Sequence, residues 1–316
     1  MQNIDQVARR IKLRDLRTLL AVAEAGSMSK AAARLAVSHP VVSKTIADLE
    51  RTLGSCLFDR TSQGVEPTAF GRSLIDCGVA MLDELHRGLR QIEFLTDPAA
   101  GELQFGANGP AIEGFVLTAM EALIDRYPRI ELHALEADPR TLYRALHERK
   151  IELAVSRKID AFVDHEGEFA FQTLFDEHLF VVAASQSQWT RRRRIELTDL
   201  LKARWVLPAH DNPAGVLIAD AFRSMRIPQF RAQVYSNSLA IRIRLTANSG
   251  FLTMLPGSML HFGAKRLPVK VVPVTMPIRT QPIEIVTLKN RTLSPVAKGF
   301  IECLRATATP MTKSRS

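Results

Sequence analysis

The sequence predicts an α-helical N-terminal part followed by a two-lobed, doubly wound α/β part, and three observations predict it. Residues 14–94 carry apolar side chains at helical spacing. Past Pro98-Ala99-Ala100-Gly101, short apolar runs alternate with amphipathic stretches. Such alternation argues for parallel, doubly wound sheets. Two of them make two lobes with a cleft at the strands' carboxyl ends. The length of 316 residues suits two or three domains, at about 100–200 residues each.

In the helical part, Leu16, Leu19, Leu20 and Ala23 share one helix face, and Ala25-Gly26-Ser27 stops that helix. A short second helix carries Ala31, Ala32 and Leu35. Val37-Ser38-His39-Pro40 then opens a third. Ser38 is a good N-cap, and Pro40 sits in the first turn, where its missing N–H costs nothing. This helix runs to about Leu53, with Gly54 suited to the residue just past its end. A longer helix spans about 71–95. Ile75, Leu82 and Leu89 are spaced by seven, as are Leu85 and Ile92, with Gly78 interrupting the seam. The seam reads either as a contact with a second chain or as packing on its own domain.

In the α/β part the candidate strands are 103–107, 130–135, 151–156, 179–184, 205–207, 233–235, 251–255, 270–274 and 283–288. The main candidate helices are 112–126, 139–149, 214–226 and 238–248.

Composition excludes several classes. Lys and Arg number 42 against 33 Asp and Glu, a formal +9, which suits a polyanionic partner such as nucleic acid without proving one. No run approaches the roughly 18 apolar residues of a membrane span. The N-terminus has no basic region followed by an apolar core, so no signal peptide is expected. Cys56, Cys77 and Cys303 are odd in number and form no C-x-x-C pair or zinc spacing. The expectation is a cytoplasmic chain with no metal and no cofactor.

The third helix carries the chemistry. At 100° per residue Val42, Ile46, Leu49 and Leu53 share a face that must be buried, while Pro40, Ser43, Lys44, Ala47 and Arg51 fall on or near the opposite one. Small residues allow close approach to a groove, and Ser43 and Lys44 offer a hydroxyl and a cation. His39 and Ser38 lie at the end that meets base edges in helix-turn-helix proteins. A solvated helix face would show the same spacing. Residues 1–75 hold eleven Lys or Arg and seven Asp or Glu, a net of only +4.

The run 16–71 resembles the N-terminal domain of LysR-type transcriptional regulators. The matching residues are Ala23, Gly26-Ser27, Ala31-Ala32, Leu35, Val37-Ser38, Pro40, Ser43, Ile46, Leu49-Glu50, Leu53-Gly54, Leu57-Phe58, Arg60, Thr68 and Gly71. The resemblance implies a winged helix-turn-helix (1–70), a linker and dimerisation helix (71–97), and a two-lobed, periplasmic-binding-protein-like effector domain (98–306). The second lobe would span about 158–268. The Ser/Thr-rich composition of 307–316 points to a disordered tail. The residues expected at DNA are Ser27, Ser38, His39, Pro40, Ser43, Lys44, Arg60 and Thr68. His39 stands where the family commonly has Gln, so base preference there could differ. The first dozen residues precede the usual family start and have no assigned role.

The resemblance further implies a small-molecule effector between the lobes. Asn108 and Gly109 lie in a turn after a strand and before a helix, a place for a carboxylate or phosphate or simply a β–α turn. Arg157 could pair an anionic ligand or be a solvated hinge charge. Asn212 is the second-lobe counterpart of Asn108, and Ser238 is similar, though each also suits an N-cap. His210-Asp211 makes no relay, and no G-x-S-x-G nucleophile appears. The run 191–194 of four arginines suits a solvated loop, or a contact with bent DNA or an acidic partner. The expected function is therefore a promoter-binding regulator of double-stranded DNA, not an enzyme. It would be a homodimer that pairs into a homotetramer, with RNA polymerase as a further partner and no membrane. The rivals are an enzyme or ligand-binding protein on the same two-lobed fold and an architectural DNA binder.

Overall fold

The computed structural model describes residues 4–61, 64–157, 167–193, 195–227, 230–263 and 267–313. The chain divides into two compact units, Met1–Ile92 and Glu93–Ser316.

In the first unit the stretch without an assigned role forms α1 (Ile4–Arg10), followed by α2 (Leu13–Ala25), α3 (Met28–Arg34) and α4 (His39–Leu53). Leu19, Val22, Ala31, Ala32, Val42, Ile46 and Leu49 meet in one core. Of the expected α2 face, Leu16 and Leu19 are buried, while Leu20 and Ala23 are half-buried and Val22 is buried instead. Ser38 holds the N-cap position in extended conformation, Pro40 lies in the first turn, and α4 closes on Gly54 at φ 70°. That left-handed conformation costs glycine nothing. Glu50 accepts the N–H groups of Leu57 at 2.8 Å and Phe58 at 3.4 Å, which directs the chain away from α4.

The expectation that residues 14–94 are all-helical is corrected by a hairpin. β1 (Phe58–Thr61) pairs antiparallel with β2 (Gly64–Pro67), which is the wing that the resemblance implies. Ser62 and Gln63 lie outside the described residues. α5 (Ala69–Thr96) follows. Ile75 joins the core, and Gly78 is buried beside Leu16 and Leu20. Gly78 is thus the seat of α5 on α2 rather than a gap in an intermolecular seam. Beyond it Met81, Leu85, Leu89 and Ile92 are exposed.

The second unit has two lobes. The first is a five-stranded sheet of β3 (Ala100–Ala107), β4 (Arg129–Glu136), β5 (Leu153–Arg157), β6 (Phe169–Glu177) and β12 (Gln281–Leu288), in the order β4-β3-β5-β12-β6. β3 is parallel to β4 and β5, whereas β12 is antiparallel to β5 and β6. The sheet is therefore mixed, not wholly parallel as expected, because the chain leaves this lobe after β6 and re-enters through β12. α6 (Gly109–Ala111), a π-turn (Ile112–Val116), α7 (Leu117–Arg126), α8 (Pro139–His147) and α14 (Pro295–Lys313) accompany it. Phe105 and Phe300 pack at 4.7 Å between ring centroids in the core.

The second lobe holds β7 (Leu179–Ala184), α9 (Gln188–Arg191), α10 (Leu197–Leu201), β8 (Val206–Leu207), α11 (Pro213–Ser224), β9 (Val234–Tyr235), α12 (Leu239–Ser249), β10 (Thr253–Pro256), α13 (Gly257–Phe262) and β11 (Val269–Val271). β7 is flanked antiparallel by β10 and β11. β8 and β9 are parallel, and a parallel bridge joins Trp205 to Leu252.

Two boundaries expected from the sequence are corrected. Residues 169–177 belong to the first-lobe sheet, so the second lobe starts at β7 and not near 158. The segment 307–313 is helix, because Leu304, Ala308 and Met311 continue one apolar face into the first-lobe core. Residues 314–316 lie outside the described residues.

Candidate DNA interface and effector cleft

α4 is a two-faced helix. Val42, Ile46 and Leu49 are buried, while Ser38, His39, Pro40 and Lys44 are exposed and Ser43 is half-buried. The N-cap hydroxyls of Ser38 and Ser27 make no capping bond, although residues at that position usually accept from the first turn. Both hydroxyls remain available to an outside partner. Arg60 is exposed on β1 opposite Val65. Neither Lys44 nor Arg60 has an ion-pair partner among the described residues.

Thr68 is different, because its hydroxyl is engaged within the fold. Its hydroxyl donates to Cys56 O at 2.8 Å and accepts from the Gly71 N–H at 3.0 Å. It caps α5 and fastens that helix to the wing.

In the second unit, the expected effector residues lie at or after the carboxyl ends of β3, β5, β8 and β9. Three of them are committed to their own helices. Asn108 Oδ1 accepts from the Ala111 N–H at 3.0 Å, Asn212 Oδ1 from the Ala214 N–H at 2.9 Å, and Ser238 Oγ from the Ile241 N–H at 3.4 Å. Gly109 faces a carboxylate: a Cβ there would come within 2.5 Å of Glu136 Oε1. Arg157 ends β5 and donates to Gln281 Oε1 at 3.2 Å. Burial pushes its guanidinium down, and the charge of Glu177 opposes that shift.

A family model described as the bacterial regulatory helix-turn-helix protein, lysR family, matches residues 13–72, and one described as the LysR substrate binding domain matches 96–309. The chain belongs to the LysR family. It is a transcriptional regulator with a helix-turn-helix DNA-binding domain and a small-molecule effector domain, not an enzyme. Its relatives agree. The HTH-type transcriptional regulator GbpR of Azospirillum brasilense is 28% identical over 303 residues, covering 94% of this chain and 86% of the relative. The transcriptional dual regulator GltC of Bacillus subtilis is 25% identical, covering 92% and 96%. In fold, the chain is similar to ArgP from Mycobacterium tuberculosis (TM-score 0.65, 19% identity, 94% and 97% covered). It is also similar to full-length CbnR complexed with its target DNA (0.62, 21%, 94% and 100%). Among the described residues, no helix is long and apolar enough to cross a membrane.

The sequence reading of this LysR-type regulator missed the residues that join its two lobes. Glu177, 4% exposed, accepts from the N–H groups of His178 at 3.2 Å and Ser258 at 3.1 Å and from the Ser258 hydroxyl. It ties the end of β6 to α13 across the crossing point. Beside it, Gly114 in the π-turn lets the α13 backbone approach, since a Cβ there would lie 3.2 Å from Met259 N and Cα. π-turns often accompany functional sites. Arg242, buried on α12, donates to Met254 O at 3.2 Å, and burial pushes its pKa down to about 10. The charge at 191–194 is partly neutralised, with Arg192 lying over the Trp189 ring and 3.5 Å from Asp199. Arg194 lies outside the described residues.

Proposed function

We propose that this LysR-type regulator binds two-fold-related half-sites in a promoter as a homodimer, that dimers pair into a homotetramer, and that a small anionic effector between the lobes favours one arrangement of the assembly. The observation that carries the DNA assignment is the N-terminal end of α4, where exposed His39, Pro40 and Lys44 stand beside a Ser38 hydroxyl that caps nothing. α4 enters the major groove there, Ser43 and Lys44 meet base edges or phosphates, and Arg60 on the wing meets the backbone or minor groove. Ser27 supplies a further phosphate contact at the start of α3. The exposed apolar stripe of α5 supports pairing of two chains. Arg157 supports an anion in the cleft, with Asn108, Gly109, Asn212 and Ser238 shaping its walls. The effector acts only as far as it binds one arrangement better than the other, and the readout is altered DNA bending and RNA polymerase access.

The test is competition of a labelled duplex carrying the protein's own promoter against random duplex at about 150 mM salt, because affinity without the salt is uninterpretable. The expected preference is about 10³-fold or more. Parity would overturn the assignment. Ser43→Ala with Lys44→Ala is expected to weaken specific binding about tenfold or more, from about 1–3 kcal/mol per good base contact. Unchanged affinity would remove these two residues from the interface.

A further inference from the structure

The first dozen residues lie outside the helix-turn-helix match at 13–72, yet α1 closes one end of a groove of about 640 Å³ that runs between the α1–α2 junction and α4. Arg10, Lys12, Arg14 and Arg17 stand on one wall and Lys44 on the other. These are five of the eleven Lys and Arg in residues 1–75. Among the described residues two carboxylates line the groove, giving a formal charge of 5 − 2 = +3. Both carboxylates are engaged: Asp15 accepts the Lys12 N–H at 3.1 Å and lies 3.6 Å from Arg14 Nε, and Asp48 accepts from Arg51 at 2.8 Å. The side chains of Arg10, Lys12, Arg17 and Lys44 have no carboxylate partner among the described residues.

We infer that this groove is a second nucleic-acid contact, holding the sugar–phosphate backbone that flanks the bases met by α4. The inference rests on the DNA-binding reading above and extends it. Concentrated like charge in a concave surface focuses a positive potential that an extended polyanion satisfies. Lys44 belongs both to the groove and to the exposed end of α4, so the two surfaces are continuous. Val37 and Val41, 41% and 51% exposed, form part of the lining and suit the apolar edges of deoxyribose. The N-terminal extension thus lengthens the footprint without adding base specificity.

The experiment uses the full chain and measures Kd for the promoter duplex and for a scrambled duplex of equal length, across about 50–300 mM KCl. Arg10→Ala with Arg17→Ala is expected to weaken binding to both duplexes by the same factor. The slope of log K against log salt should fall by about 2, since each lost phosphate contact removes about one unit. Arg9→Ala, on α1 but not lining the groove, should leave the slope unchanged. If the double variant keeps the wild-type slope and Kd while promoter preference persists, the inference fails alone, and the groove belongs to an acidic protein surface or to solvent. A loss confined to the promoter duplex would also overturn it, because it would mean base contact. If the wild-type chain shows no promoter preference, the DNA reading fails and takes the inference with it.

Discussion

The Asp138 carboxylate accepts from the Arg140 N–H at 2.9 Å, the Thr141 N–H at 3.2 Å and the Thr141 hydroxyl at 2.6 Å. These bonds, the Thr141 hydroxyl foremost, hold its pKa below the usual 3.8. A lowered carboxyl stabilises the fold above its unfolded pKa, and that stability is lost as pH falls through the lowered value. Asp138→Ala should therefore cost about 1 kcal/mol at neutral pH and flatten the decline of thermal stability below about pH 4. An unchanged acid profile would refute the assignment. The same residue types explain where reading the sequence stopped. Asn108, Asn212 and Ser238 serve their own helices, whereas Ser38 and Ser27 do not. All five look alike in sequence, because an N-cap is written by residue type and position, while the direction of the hydroxyl or amide depends on its neighbours.

At the scale of the element, α5 has two jobs divided along its length. Its first turns seat on the helix-turn-helix core through Ile75 and Gly78, and the later turns carry Leu85, Leu89 and Ile92 into solvent at 38%, 50% and 62% exposure. The heptad spacing was legible in the sequence. Which heptads face inward was not, since that depends on α2 lying beside Gly78. Burying one such leucine at an interface contributes about 1.5–3 kcal/mol, and each substitution occurs twice in a dimer. Leu85→Asp with Leu89→Asp should therefore shift the full-length chain to monomer in sedimentation velocity while leaving its helical circular dichroism intact. An unchanged mass would place the pairing surface elsewhere. α14 shows the reverse case, where a Ser/Thr-rich composition hid an apolar face continued by Leu304, Ala308 and Met311.

At the scale of the molecule, the effector domain crosses between lobes twice, and Glu177 with Ser258 ties them where the first crossing begins. A ligand bound near that junction can bias the lobes only through differential contacts. Thermal-shift measurements on the full chain with small carboxylates, sugar phosphates and neutral sugars test the ligand class. A ligand at about 100 times its Kd adds about 2.7 kcal/mol, and Arg157→Ala should abolish the shift for an anionic one. A response to neutral sugars alone would overturn the anionic reading. The sequence by itself determined the helix-turn-helix, the long helix behind it and the alternation of the effector domain, because those signals lie in spacings of a few residues. Tertiary structure alone decided that strand 169–177 belongs to the first lobe, that Glu136 lies against Gly109, that Thr68 caps a helix, and that α1 closes a basic groove beside α4. Each of these depends on groups brought together from separate segments, and local hydropathy carries no record of which distant partner a residue meets.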